Sequence, residues 1–324
     1  MYKTIIRRIL ILIPQLFIIS LFMFILAWNM PGDALTGMGE DPTIDQEVLA
    51  QRREDMGLND PWYQQYGRWI GNIILRGDFG RSVQHGATPV VTIIGQRLIN
   101  TFWLALLTLF LIYVIAVPLG IVAGRYNDKL PDKAIGGYTY FAMALPTVVF
   151  ALINLLIFGF RLQWFPIRGS VSIEAHAAGG LTYIIDRLYH MILPALTGAI
   201  LGTFGIIQYL RGGIVNLKSS DYVMTARSKG VPESKIYTRH ILRNALIPIA
   251  SNAGLALVGL FAGAIFIEQL FSFPGMGRLF LDSIQTRDFT VVNALVMLFA
   301  FLTAMGVLIS DIILAAIDPR IRIK

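Results

Sequence analysis

FWLALLTLFLIYVIAVPLGIVA, Phe102 to Ala123, runs for 22 residues without a charged side chain. A bilayer core about 30 Å thick needs a helix of about 20 apolar residues, so this stretch places the chain among integral membrane proteins. Five further stretches share its character: Ile9–Trp28, Ile135–Phe160, Met191–Leu210, Ala245–Ile267 and Val291–Ile309. Composition agrees. Of 324 residues 55% are hydrophobic and 15% charged, and the mean hydropathy is +0.64, whereas soluble domains carry about 25% charged residues. The expectation is an all-α integral membrane protein with six transmembrane helices. Lys3, Arg7 and Arg8 precede the first apolar run as they would in a signal peptide. That run exceeds the usual span of roughly 7–15 residues, and Ala27-Trp28-Asn29 makes a poor cleavage site, so it reads as a retained anchor. Without cysteine there are no disulfides and no thiolate metal sites.

The net charge of +7 would suggest nucleic acid in a soluble protein. Its distribution points elsewhere. With the N-terminus inside, the inner segments hold 16 of the 27 Lys and Arg residues. Asp33, Glu40, Asp41, Asp45, Glu47, Glu54, Asp55, Asp60 and Asp78 all fall in the first outer segment. That asymmetry follows the positive-inside rule. Both termini are therefore expected in the cytoplasm, and no nucleic-acid partner is expected.

Two outer segments are long. Between Pro31 and Arg97, Thr43 is placed to cap a helix running to Met56, and Asn59-Asp60-Pro61 reads as a cap followed by proline at the first helical position. Trp62, Tyr63, Tyr66 and Trp69 recur at helical spacing, which suits an amphipathic helix on the outer bilayer surface or a docking surface for an outer partner. The second segment, Leu162–Leu188, carries Trp164, Pro166 and Gly169 and reads as a loop with some packing of its own.

The stretch from Arg211 to Arg243 holds seven Lys or Arg residues. At about 2.5–3.5 kcal/mol each near a bilayer centre, it cannot be a span. Its order is helix, break, helix. Ser219, Ser220 and Asp221 offer N-caps; Tyr222, Val223, Ala226 and Met224 can form one apolar stripe; Arg227 and Lys229 sit near the C-terminal end. Gly230 suits the left-handed position after the helix, and Pro232 starts the next one. So short a helix needs a surface to lie on. Membrane lipid and a groove on a cytoplasmic protein both fit a basic amphipathic segment.

Ala226-x-x-x-Gly230, ahead of the penultimate apolar stretch, resembles the signature loop of bacterial ABC-importer permeases. That motif reads Glu-Ala-Ala, three residues, Gly, nine residues, Ile-x-Leu-Pro. Here the triplet is Met224-Thr225-Ala226, so the Glu is absent, and His240-Ile241-Leu242-Arg243 stands where Ile-x-Leu-Pro would be, with Pro248 five residues on. The departures are similar to the dipeptide, oligopeptide and nickel branch. So are Gly77-Asp78-Phe79-Gly80-Arg81-Ser82, Leu119-Gly120-Ile121-x-Ala123-Gly124, Glu268-x-x-Phe271-Ser272-x-Pro274-Gly275-Met276-Gly277 and the ending Asp318-Pro319-Arg320-Ile321-Arg322. The long segment after the first span resembles the first of the two permeases in such importers.

The resemblance implies a type I ABC-importer permease fold in the bacterial plasma membrane. It divides the chain into an anchor at 1–30, an extracytoplasmic segment with short amphipathic helices at 31–97, a permease core at 98–317 with a coupling helix near 219–231, and a cytoplasmic tail at 318–324. The implied partners are a second homologous permease, two ABC ATPase subunits, an extracytoplasmic substrate-binding protein and a peptide substrate. No phosphate-binding Gly-x-x-x-x-Gly-Lys-Ser/Thr motif occurs in the chain, so ATP and Mg would be held by the partner ATPases and no cofactor by this chain. Asp221, Tyr222, Ala226, Arg227, Lys229 and Gly230 would form the ATPase-coupling element, with Tyr222 and Ala226 packing into the ATPase cleft. Arg227 and Lys229 would pair with its acidic groups or with lipid phosphates.

Polar residues within spans are functional suspects, so Asn154, Gln208, Ser251 and Asn252 are candidates for a peptide path, with interhelical hydrogen bonding the competing reading. Glu268, Phe271 and Pro274 are candidates for an outer gate, Glu268 alternatively pairing with Arg278 or Arg287, and the Pro274-Gly275 turn is expected to place glycine at positive φ. Catalytic and metal-binding residues are expected to be absent. The four histidines are scattered, with no His-Glu-x-x-His and no Gly-x-Ser-x-Gly, which leaves an intramembrane hydrolase little to work with. Nickel chelates or oligosaccharides remain alternative substrates, and a stand-alone secondary transporter the alternative class.

Overall fold

The computed structural model describes residues 2–30, 35, 46–55 and 57–317. Among them the chain is helical apart from turns, loops and one isolated bridge between Arg81 and Pro89. The helices are α1 Tyr2–Asn29, α2 Gln46–Asp55, α3 Trp62–Arg76, α4 Val90–Arg125, α5 Leu130–Ala144, α6 Thr147–Asn154, α7 Ile173–Ala178 and α8 Gly180–Leu217. They continue as α9 Asp221–Ser228, α10 Glu233–Lys235, α11 Leu242–Ser251, α12 Ala253–Gly263, α13 Ile265–Leu270, α14 Met276–Gln285 and α15 Phe289–Ile317. Thr43, Met56, the acids Asp33, Glu40, Asp41 and Asp45, and the ending Asp318-Pro319-Arg320-Ile321-Arg322 lie outside the described residues.

Among the described residues, five helical segments are long and apolar enough to cross a membrane: Leu10–Asn29 of α1, then α4, α8, Ala253–Leu270 and α15. The sixth expected stretch is the pair α5 and α6, the latter continuing π-helically to Arg161, bent by 102°. Proline causes the bend. Leu145, held extended at ψ 123° before Pro146, cannot continue the helix, and Pro146 itself has no N–H to offer. The apolar run Ile135–Phe160 is thus one hydrophobic stretch but not one rod. The fourth stretch, by contrast, is only the middle of α8, whose 38 residues extend about 57 Å at 1.5 Å each, well beyond a bilayer core. The fifth is segmented at Asn252 and Ala264, where ψ flattens to −1° and −7°.

Residues group into two compact units. One contains Phe102–Phe273 and the described residues from Met305 onward; the other contains Tyr2–Thr101 and Pro274–Ala304. In the first, α5 and α11 pack on α8. α4 approaches α8 closely because Gly120 and Gly124, one turn apart, present no side chain. A Cβ on Gly120 would lie 3.0 Å from Leu210 Cβ, and one on Gly124 2.7 Å from Ile214 Cβ. Small residues at this spacing let membrane helices touch backbone to side chain, which explains the Leu119–Gly124 motif physically.

In the second unit the aromatic stripe of α3 is spent on α1. The Tyr66 hydroxyl is 2.9 Å from that of Ser20, with Phe17 and Phe24 against the Tyr66 ring and Phe24 against Trp69. Ser20 lies about 14 Å of helix from the Asn29 end of α1, so α3 leans on the body of α1, while Tyr63 and Ile74 stay exposed. Pro61 occupies the N-cap of α3 without a side-chain bond, and Asp60, expected to cap, pairs instead with Arg68. The Gly77–Ser82 motif ends on a buried polar lock. Ser82 Oγ donates to Asp288 Oδ2 at 2.5 Å and accepts the His85 N–H at 3.0 Å, tying this loop to the start of α15.

Candidate functional site

α9 begins after Ser220, whose backbone is extended while its carbonyl accepts the Val223 and Met224 N–H groups at 3.0 and 3.1 Å. Its hydroxyl does not cap; it donates back to Leu217 O at 2.6 Å. Asp221 supplies the acid of the first turn. The helix ends on a complete Schellman pair, with Gly230 N–H donating to Arg227 O at 2.9 Å and Val231 N–H to Ala226 O at 3.1 Å. Gly230 has φ +73°. A Cβ there would meet nothing within 4 Å, so backbone conformation alone requires the glycine. Gly230→Val is expected to cost about 1–2 kcal/mol, with Gly230→Ala costing less. Hydrogen-exchange mass spectrometry of residues 221–235 should show faster exchange in that order.

Pro232 caps α10, a π-helical turn follows over Ile236–Ile241, and α11 continues the path. Arg227 Nε donates to Glu233 Oε1 at 2.7 Å across the glycine stop, and this bond raises the guanidinium pKa above its ordinary value. Arg227 is thus engaged within its own chain. Lys229 and Asp221 are exposed.

The apolar residues of α9 divide. Val223 and Ala226 are 0% and 8% exposed, inside a core with Leu210, Ile214, Ile236, Ile241, Ala245 and Ile249. Tyr222 and Met224 are 40% and 50% exposed. The expectation that Ala226 packs into a partner is corrected: its methyl faces this chain's own core. Tyr222 keeps an outward ring, its hydroxyl accepting from Asn244 Nδ2 at 3.3 Å.

Around α9 lies a charged frame that the sequence did not reveal. Arg211 grips Asp132 with two hydrogen bonds, Nε to Oδ1 at 2.6 Å and Nη2 to Oδ2 at 2.8 Å, and reaches Asn127 Oδ1 at 3.0 Å. Asp128 N–H also donates to Asp132 at 2.8 Å. This clamp fixes the start of α5 to α8. Arg125 and Lys218 both approach the Tyr237 ring, at 5.3 and 5.8 Å, and Lys218 Nζ donates to Arg125 O at 2.9 Å. Burial pushes the Lys218 ammonium pKa down and the Tyr237 phenol pKa up. The loop after α4 is thereby joined to the π-helical turn after α9.

The path suspects mostly satisfy themselves. Asn154 Nδ2 donates to Phe150 O at 2.9 Å, one turn back in its own helix. Gln208 Nε2 bonds Thr139 Oγ1 on α5 at 2.8 Å, an interhelical contact. Ser251 and Asn252 both donate to Pro248 O at 2.9 Å, at the break between α11 and α12.

Glu268 and Phe271 are buried, Phe271 in a cluster with Ala151, Leu193 and Ile267. Pro274 O accepts from Asn100 Nδ2 at 2.8 Å. Gly275 does not supply a positive φ; it has φ −106° as the N-cap of α14, and Ser272, at φ +48°, makes the left-handed turn instead. Ser272 N–H bonds Gln269 O at 3.2 Å and Phe273 N–H bonds Glu268 O at 2.8 Å, the same helix-ending pair as at Gly230.

Cavities open in the first unit. One of about 300 Å³ is walled by apolar side chains with Thr108 and Thr147 as its only side-chain hydroxyls. Another, of about 500 Å³, lies between α8 and α11 and includes Gln208 and Asn244.

Known proteins resemble this chain in sequence and, in one solved structure, in fold. Residues 116–323 match the family described as binding-protein-dependent transport system inner membrane component, and residues 1–105 match its N-terminal counterpart. The oligopeptide transport system permease protein AppB of Bacillus subtilis (strain 168) is 38% identical over 321 residues, covering 99% of each chain. The glutathione transport system permease protein GsiC of Escherichia coli (strain K12) is 32% identical over the full length of both. An inward-facing structure of the MetNI methionine ABC transporter superposes with a TM-score of 0.55 at 13% identity, covering 70% of this chain and 97% of that one. The chain belongs to the family of inner-membrane permease components of binding-protein-dependent transport systems.

Proposed function

We propose that this permease forms half of the translocation path of an ATP-driven importer of peptides, with α9 as the helix that receives the ATPase stroke. One observation carries the coupling role. The inner face of α9 is sealed into a core shared with α8 and α11, while Tyr222, Met224, Thr225, Ser228 and Lys229 face outward. A displacement of the outward face is therefore delivered to α8 and α11 at once, as rigid-body alternating access needs. The Schellman turn and the Arg227–Glu233 bond stiffen the joint.

In this reading both termini are cytoplasmic, residues 1–30 anchor the chain, 31–97 lie outside and 98–317 form the permease core. A second homologous permease completes the path, two ATPase subunits hold ATP and Mg, and an extracytoplasmic binding protein delivers substrate. Peptide is favoured over nickel chelate or oligosaccharide because relatives at 38% and 32% identity are named for oligopeptide and glutathione, the latter itself a tripeptide.

The test is reconstitution with the partner subunits and measurement of ATP hydrolysis. A loaded binding protein carrying peptide is expected to stimulate hydrolysis severalfold, and one offered a nickel chelate is not. Equal stimulation by the chelate, or none by peptide, contradicts the substrate assignment.

A further inference from the structure

We infer that the 500 Å³ cavity between α8 and α11 is a release site that holds a short peptide by its backbone amides; this rests on the peptide reading above. The lining chemistry is specific. It contains no charged side chain, but it presents the carboxamides of Gln208, Asn216 and Asn244 and the phenol of Tyr209. Gln208 spends its Nε2 on Thr139, and Asn244 its Nδ2 on His240 O and Tyr222. Their carbonyl oxygens remain as acceptors, and the Asn216 carboxamide has no partner among the described residues. A free carboxamide such as that of Asn216 matches the donor and acceptor of a peptide unit at the same time, and the Gln208 and Asn244 oxygens add acceptors for main-chain N–H groups. An uncharged wall of such groups reads main chain and ignores side-chain identity. The 300 Å³ cavity has no comparable capacity, since it is lined by no carboxamide and the Thr108 hydroxyl, one of its two, is already donated to Leu104 O.

Spacing adds a length. Gln208, Gly212 and Asn216 lie on one face of α8 at four-residue intervals. The two amides are thus about 12 Å apart along the helix, and the position between them is open, because a Cβ on Gly212 would meet nothing within 4 Å. An extended chain covers about 3.3–3.6 Å per residue, so roughly three to four residues bridge the pair. The far wall is linked to α9 through the Asn244–Tyr222 bond and through Ala245, which also belongs to the core holding Val223 and Ala226. Movement of α9 therefore alters the cavity that would hold the departing peptide.

The experiment uses the full importer in proteoliposomes, with a tripeptide bearing benzoylphenylalanine as probe. In the nucleotide-free state, photocrosslinks are expected on residues 208–217 and 244–248. At equal amounts of assembled complex, Gly212→Leu, which fills the gap with a good helix former, is expected to lower tripeptide uptake at least tenfold. Asn216→Leu is expected to lower it severalfold. Crosslinks confined to other segments, capture there of a benzophenone lipid but not the tripeptide, or wild-type uptake by Gly212→Leu would each overturn the assignment. If the wild-type importer moves no tripeptide at all, the peptide reading itself falls.

Discussion

Replacing Ala226 with glutamate is expected to destabilise the permease by about 3–5 kcal/mol, the range found when a charge is left uncompensated in a protein interior. Ala226 is 8% exposed and packs among Ile214, Val223, Ile236 and Ala245. One added methylene and a carboxylate have no room and no cation there. The carboxylate must be buried unpaired, be protonated, or drive α9 off its seat. Met224→Glu, two residues earlier but 50% exposed, should change stability by no more than about 0.5 kcal/mol. Thermal unfolding of the two purified variants separates them. If α9 presented Ala226 to a partner, Ala226→Glu would instead leave stability intact and weaken only the complex.

The second large effect is expected at Asp132. Its carboxylate accepts both hydrogen bonds of the Arg211 fork and the Asp128 N–H, and its side chain is 5% exposed against 31% for Arg211. Asp132→Ala removes these bonds and leaves the guanidinium only Asn127 and partial solvent. Hydrogen bonds to charged groups contribute about 1.5–3 kcal/mol each, and the solvent still open to Arg211 limits the loss to about 2–3 kcal/mol. The double variant Asp132→Ala/Arg211→Ala should recover part of that loss, because no orphaned charge remains. A thermodynamic cycle over the four proteins gives the coupling. Strict additivity would show that the clamp seen between α5 and α8 contributes nothing.

These two sites also mark what was legible in the sequence. The apolar stretches could be read because the bilayer imposes a length, and length survives without knowledge of contacts. The same criterion hid the break at Leu145-Pro146, since hydropathy is blind to a missing N–H. Gly230 was legible because its role is local: left-handed backbone after a capped helix. The facing of α9 was not. Tyr222, Val223, Met224 and Ala226 crowd an eight-residue helix, and only the packing of Ile236, Ile241 and Ala245 decides which of them is inside. Asp132 carries no local signal of its clamp, because its partner Arg211 lies 79 residues away. The expected positive φ of Gly275 failed for a related reason. Pro-Gly suggests a turn, but the turn closes three residues earlier on Ser272, and the glycine serves as a helix cap.

In the proposed coupling, α9 meets the ATPase with its outer face and its own permease with its inner face. The chain contains no cysteine, so single cysteines can be placed without background. Labelled with a benzophenone maleimide and irradiated, Tyr222→Cys, Met224→Cys and Lys229→Cys should each crosslink to the ATPase subunit, with yields that change on ATP binding, while Val223→Cys and Ala226→Cys should not. Crosslinking at the two inner positions, or none at the three outer ones, would contradict the account.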